Sequence, residues 1–508
     1  MKKTILSAII AIIMIASLVP CCVSAMWDGT SYATPLGDGS EGNPYSVTNE
    51  AELAGLAKMV NDGDTLAGKY VVLEADLNLG DYDWTPIGTS TSAYFAGNFD
   101  GKNHTITGIK VNVSIDYAGL FGLVKNGKVE NLIIENANVT GAKYAAPLIG
   151  MLQATKQTGY SLVRNCHVTN SVTKGVQAAS LVGRASTTGA TPDQMIVEYC
   201  SAVDCKIDGT RDSSESATTM YAGGIMSAAG SVTIRYCWTE NEEITIGGNA
   251  SAVYAGGLLS CQGASSAAGD VQNCYTTGTS ITVIDGTTCA AEKCAIAGLI
   301  GKAGHTNCSS HIQNCFVIGA KLKNVDGAEY TGALMGVCNN WVTYNNCSTD
   351  SDTAIGYDAL LQDYPVTKMN TDEFGLAGAA EKLNLAFNNT KAVWKDDTIA
   401  GHPVIDFDAI SDNVFTAVSW DELTTADTTE AGAPDDTTPD TTKAETVDTA
   451  PETEAETTAA GTTADTTAEA TRAATDPAGS EKGCGSSVAC ACAMISVLGC
   501  ALLLKKKN

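Results

Sequence analysis

The stretch Tyr117-Ala118-Gly119-Leu120-Phe121-Gly122, followed seven residues on by Val129-Glu130-Asn131-Leu132, decides the fold, because both phrases return along the chain. The first returns at 144–150, 177–183, 221–227, 254–260, 295–301 and 330–336, seven copies in all, 27 to 44 residues apart. The second returns as Val163-Arg164-Asn165-Cys166, Val197-Glu198-Tyr199-Cys200 and Ile234-Arg235-Tyr236-Cys237. It continues as Val271-Gln272-Asn273-Cys274, Ile312-Gln313-Asn314-Cys315 and Tyr344-Asn345-Asn346-Cys347. A constant unit at uneven spacing is a structural repeat carrying variable loops. Past the second phrase apolar and polar residues alternate, which marks short strands with one buried face. Such strands bury that face only by stacking repeat on repeat, which predicts a solenoid of parallel β type.

In a parallel β-helix each position recurs directly above itself, about one strand spacing (~4.8 Å) away. Asn131, Asn165, Asn273, Asn314 and Asn346 are then expected to form a ladder of amides at a turn. Cys166, Cys200, Cys237, Cys274, Cys315 and Cys347 form an inward column of small thiols. Stacked Cβ atoms at strand spacing sit slightly too far apart for a relaxed disulfide, so this column is expected to stay reduced. Tyr117, Tyr144, Tyr221, Tyr254 and Tyr330 recur at one position. Outward, they make a stripe suited to stacking on sugars or meeting a protein; inward, they are packing.

The flanks read differently. Residues 1–25 carry a basic start at Lys2 and Lys3, an apolar run and a small-residue cleavage site at Val23-Ser24-Ala25, as a secretory signal does. Residues 26–115 are expected to hold an N-terminal cap and the first rungs, 116–350 the repeats and 351–420 a C-terminal cap. In the N-terminal part Asn49 and Glu52 resemble a capping box. Leu53, Leu56, Ala57 and Val60 follow at helical spacing, and Gly63 ends the run. A second helical pattern covers 371–387. Residues 421–483 are Thr, Ala, Asp, Glu and Pro with almost no large apolar side chain, which predicts a disordered stalk. Asp421 to Lys482 holds 16 acidic and three basic side chains, a net −13 of the chain's −27, which argues against nucleic-acid partners. Residues 484–508 end on Lys505-Lys506-Lys507 after an apolar stretch, which predicts one transmembrane helix with the ectodomain outside.

Gly119-Leu120-Phe121-Gly122 and Gly298-Leu299-Ile300-Gly301 resemble the motif of the GLUG family of bacterial surface proteins. The lead-in Trp84-Thr85-Pro86-Ile87-Gly88 and Phe95-Ala96-Gly97-Asn98-Phe99-Asp100-Gly101 resembles the start of such domains. The resemblance covers about residues 27–410, with Pro147 and Ser180 replacing the first Gly and Ser227 and Ser260 the last. It implies a right-handed β-helix with a surface, adhesin-like role and no catalytic residues. The C-terminal end resembles a tripartite sorting signal without LPxTG.

Chemistry-bearing clusters are sparse. His305, Cys308 and His311 have zinc-like spacing, but neighbouring Cys315 belongs to the inward column, so no metal and no cofactor is expected. A loop disulfide such as Cys289 to Cys294 or to Cys308 is the competing reading there. Carboxylates are scattered, lysines and arginines are few across the array, and no HExxH, Gly-x-Ser-x-Gly or phosphate loop occurs. The reading is a mainly β, non-catalytic surface protein for adhesion to a glycan or host protein. The alternatives are a carbohydrate-active enzyme (polysaccharide lyase or hydrolase) on the same scaffold, and a purely structural envelope protein.

Overall fold

The computed structural model describes residues 27–407, apart from 81, 114–115, 156–158, 189–193, 213–215, 264–268, 305–309, 339–341, 359–365 and 386–392. The segments expected to be signal peptide, stalk and C-terminal anchor, with His305 and Cys308, lie outside the described residues. Among those described, no helix is long and apolar enough to cross a membrane.

One coil shows how the sequence makes the fold. Val129 points inward, Glu130 outward, and Asn131 takes the left-handed conformation (φ 54°). That residue turns the chain and resets the alternation, so Leu132 and Ile134 point inward again. Asn136 (φ 54°) makes a second such bend, and Val139 and Ala145 continue the buried face. The coil closes through strand Ile149–Thr155 and returns to Ser161–Thr169, directly above Lys128–Glu135. Only Gly, Asn and Asp enter the left-handed region at low cost, because a Cβ there crowds the following carbonyl. The five-residue offset between the bends recurs as Asn103/Gly108, Asn165/Asn170, Tyr199/Asp204, Tyr236/Asn241, Asn273/Gly278 and Asn314/Gly319.

Stacking these coils gives a 17-stranded sheet, bent at the first left-handed residue, and sheets of seven, eight and seven strands, all with parallel pairing. The register is that of the repeat phrases: Tyr117 pairs with Tyr144, Tyr144 with Gln177, Gln177 with Tyr221, Tyr221 with Tyr254 and Tyr254 with Ala295. The protein is thus mainly β, with parallel sheets stacked in repeat fashion as in a β-helix. The glycines of the first phrase sit where backbones of successive coils meet. A Cβ on Gly150 would lie 2.7 Å from the Ala118 nitrogen, and one on Gly301 2.4 Å from the Ala255 oxygen. Where Ser227 replaces the last Gly, its buried hydroxyl donates to the Gly183 carbonyl.

The interior is a continuous apolar column. The position after the second bend also faces inward and is filled by Ala137, Ser171, Cys205, Glu242 and Thr279. Glu242 is fully buried there; its Oε2 accepts from the Ser180 hydroxyl at 2.7 Å, and burial pushes its carboxyl up to about 7.

Helix α1 (Glu50–Asn61) buries Leu53, Leu56, Ala57 and Val60 in the core of the first coils. Asn49 caps it by accepting from the Glu52 backbone at 3.0 Å. The reciprocal bond differs from the expected box: the Glu52 carboxylate reaches past Asn49 to the Thr48 N–H and hydroxyl, at 2.7 and 2.8 Å. The pattern over 371–387 is two short helices, α2 (Thr371–Phe374) and α3 (Ala379–Leu385), separated by Gly375 and Gly378 (φ 92°). With the antiparallel hairpin Trp394–Asp397/His402–Ile405 they pack Phe374, Leu383 and Trp394 against Tyr275 and Phe316. Those two rings stand on the outer face of the 17-stranded sheet, stacked at 4.9 Å with Trp238 behind them. This segment therefore covers a flank of the coils.

Candidate functional site

The repeated tyrosines share one outward row. Their neighbours Ala118, Ala145, Ala178, Ala222 and Ala255 are fully buried, so period two turns the tyrosines out of the core. Tyr117, Tyr221, Tyr254 and Tyr330 are half-buried, and Tyr144 is buried against Leu123 and Met151. The Tyr117 and Tyr144 rings stack at 5.8 Å, the Tyr221 and Tyr254 rings tilt at 5.6 Å, and Tyr330 meets Tyr357 at 5.2 Å. Gln177 and Ala295 occupy the same row and divide it. Partial burial raises the Tyr117 hydroxyl and pushes Tyr221 up to about 12, so these two act as neutral phenols near pH 7.

Beside this row runs a second one, across the glycine corner: Leu123, Met151, Arg184, Ala228, Cys261, Lys302 and Val337, each paired with the next. Arg184 donates to Gln177 at 2.9 Å and lies 5.5 Å from the centre of the Tyr144 ring. Lys302 lies 4.9 Å over Tyr254, Lys143 5.0 Å over Tyr144 and Lys125 5.0 Å over Tyr94. These cations are far apart in the sequence and come together only through the coil, so counting basic residues along the chain missed them.

The asparagines stack as amides in two runs. Asn165 donates to Asn131 at 2.9 Å, Asn314 to Asn273 at 2.6 Å and Asn346 to Asn314 at 2.8 Å. Between the runs stand Tyr199 and Tyr236, also left-handed, with rings parallel at 5.0 Å. Cys166, Cys200, Cys237, Cys274, Cys315 and Cys347 are buried and unpaired, each Sγ directed at a carbonyl of the preceding coil, as Cys237 at Val197. Burial pushes the thiols of Cys166, Cys237 and Cys274 up. Alkylation of the native protein followed by peptide mass spectrometry is expected to leave these cysteines unmodified until denaturant is added. Labelling of Cys237 at the rate of a free thiol under native conditions would contradict the packing.

Cys289 and Cys294 form a disulfide. His311 bonds Asp270 at 2.8 Å, while Cys315 points into the core. Among the described residues no three His, Cys, Asp or Glu side chains gather as a metal site. A hollow of about 270 Å³ lies elsewhere, between Trp238, Glu240, Lys395 and Phe407.

No family model matches the chain. A stretch of 175 residues, 32% of the chain, is 29% identical to "Halomucin" of Haloquadratum walsbyi, of which it covers 2%. A stretch of 135 residues, 26% of the chain, is 30% identical to a "Putative Gly-rich membrane protein" of Evansella cellulosilytica, of which it covers 15%. The chain thus spans a small part of these relatives' length. Among solved structures, it is similar to a "putative immunoglobulin A1 protease from Bacteroides ovatus", with a TM-score of 0.42 and 18% identity over 73% of this chain and 94% of that one. An "IgA1 Protease" follows, with a TM-score of 0.37 and 16% identity over 61% of this chain and 21% of that one.

Proposed function

We propose that this chain displays a β-helical ectodomain at the cell surface and adheres to a glycan through the tyrosine row. The observation that carries this is the row itself: the outward pairs Tyr117–Tyr144 and Tyr221–Tyr254, each in register, flanked by a parallel row with small residues at its centre. Half-buried rings in a row suit the apolar faces of sugars, and their hydroxyls suit the sugar edges. One relative, named a membrane protein, fits a surface location. The GLUG-like motifs, the right-handed coil, helix α1 as a cap over the first rung and membrane anchoring by residues 484–508 belong to the same reading.

The test is retention of the purified full chain on a panel of immobilised polysaccharides, with soluble products followed by mass spectrometry. Tyr254→Ala is expected to weaken retention about fivefold, from the ~1 kcal/mol a stacked ring contributes. Release of oligosaccharides would overturn the adhesion reading in favour of a carbohydrate-active enzyme, and unchanged retention in the variant would remove the row from the site.

A further inference from the structure

Two of the cations beside the tyrosine row, unlike Lys143 with Asp116 at 3.9 Å, have no carboxylate partner among the described residues. Elsewhere on the coil several positive charges are paired with negative ones: Lys174 with Asp208 at 2.8 Å, Lys206 with Glu243 at 2.7 Å, and Arg164 and Arg235 both with the buried Glu198. Arg184 and Lys302 are half-buried, lie against tyrosine rings, and make no ion pair among the described residues. A ring face attracts a cation weakly (~0.5–1 kcal/mol at exposed sites) and leaves its charge in place. This happens in a chain of net charge −27, where a carboxylate partner is the common outcome for a lysine or arginine.

Resting on the adhesion reading above, we propose that the ligand of this row is an anionic polysaccharide. Its carboxylate or sulfate groups seat at Arg184 and Lys302, and its sugar faces lie on Tyr221 and Tyr254.

The register sets the dimensions. Arg184 pairs with Ala228, Ala228 with Cys261 and Cys261 with Lys302, so the two cations stand three coils apart, about 14 Å at strand spacing. Between them stand the short side chains of Ala228 and Cys261, buried beneath their neighbours. Tyr221 and Tyr254 border that stretch. The positive charges of Lys302 and Arg184 both oppose the burial that pushes the Cys261 thiol up to about 11. The arrangement is a strip with a cation at each end and aromatic rings along one side. Its local charge is opposite to that of the molecule as a whole, so a polyanion repelled elsewhere has one face on which to settle.

The experiment uses the full chain on three immobilised polymers: polygalacturonate, which carries carboxylates only, dextran sulfate, which carries sulfates only, and neutral dextran. Retention by a polyanion is expected, falling as salt is raised from 50 mM to 1 M, with none on dextran. The double variant Arg184→Ala/Lys302→Ala is expected to lose at least tenfold in affinity. The charge-retaining Arg184→Lys/Lys302→Arg keeps most of it, and Lys321→Ala, an exposed cation on another sheet, changes nothing. Binding to polygalacturonate assigns the carboxylate, and binding to dextran sulfate alone assigns the sulfate. Binding to dextran that depends on Tyr254 and is indifferent to the double variant overturns the anionic ligand and leaves adhesion standing. Retention on none of the three overturns the anionic ligand, and failure across the wider panel overturns adhesion too.

Discussion

Replacing Asn314 with valine is expected to destabilise the stacked coils by about 4 kcal/mol, and replacing it with glycine by about half as much. Two separate causes act at this residue. Its backbone is left-handed (φ 51°), where a β-branched side chain meets the following carbonyl at a cost of roughly 1–2 kcal/mol. Its amide is a middle rung: it donates to Asn273 at 2.6 Å and accepts from Asn346 at 2.8 Å, and it is only 1% exposed. Deleting the amide strands the Asn273 oxygen, and a buried polar atom left without a partner costs roughly 1–3 kcal/mol. Asn346 suffers less, because its Nδ2 also donates to the Leu383 carbonyl at 3.0 Å. Glycine removes the amide and keeps the backbone relaxed; valine removes both. Equilibrium denaturation of the three proteins separates the causes. Equal midpoints for the valine and glycine variants would mean that the left-handed turn carries no cost, and equal midpoints for all three would mean that the ladder contributes nothing.

The same residue shows how far the sequence can be read. The recurring Asn is visible as a repeat position, and a stack of amides follows from placing repeats one above another. What the recurrence does not reveal is why Tyr199 and Tyr236 stand at that position, since neither belongs to the residue types that favour positive φ. The structure answers with parallel rings 5.0 Å apart, which replace the amide contacts across the gap between the two runs. The second bend is harder to see, because Asn136, Asp204 and Gly278 serve one backbone conformation with three different side chains. Repetition of conformation leaves little trace when several residue types can adopt it. The parallel coil is legible because Gly119, Leu120 and Gly122 repeat as a phrase and the strands that follow alternate. The flank covered by α2, α3 and the hairpin is not. Trp238, Tyr275 and Phe316 are outward residues in an alternating strand, and nothing local says that Trp394 closes over them. The cations of the tyrosine row fall in the same class, for Arg184 and Lys302 are 118 positions apart and share one row only because the coil stacks them three steps apart.

Glu242 should make the stacked coils lose about 3 kcal/mol of stability between pH 4.5 and pH 7.5, relative to Glu242→Gln. The carboxyl lies in the lumen at 0% exposure, where burial disfavours its charged form and pushes it up to about 7 from the ordinary 4.5. The Ser180 hydroxyl opposes this by donating to Oε2 at 2.7 Å, the Cys205 backbone acts in the same direction, and the nearby Asp204 charge adds to the rise. Cys205, the neighbour in the column, is itself held neutral by burial, up to about 12. Because the folded value lies above the unfolded one, the folded state binds the extra proton over the interval between them. The stabilisation is complete below pH 4.5 and shrinks by about 1.4 kcal/mol per pH unit up to pH 7. Above pH 7 both states are ionised and the difference is constant. Glutamine keeps the shape and cannot ionise, so subtracting its curve cancels the exposed aspartates that titrate at lower pH, such as Asp28 and Asp38, both lowered to about 2 by hydrogen bonds. Denaturant midpoints of the two proteins measured at half-unit steps should converge at acid pH and diverge through neutrality, with the glutamine variant the more stable above pH 6. Parallel curves would show that the carboxyl titrates in the folded lumen as it does in the unfolded chain. The coil would then have to open there far enough to hydrate a charge, which the closed column of Ser171, Cys205 and Thr279 around it does not allow.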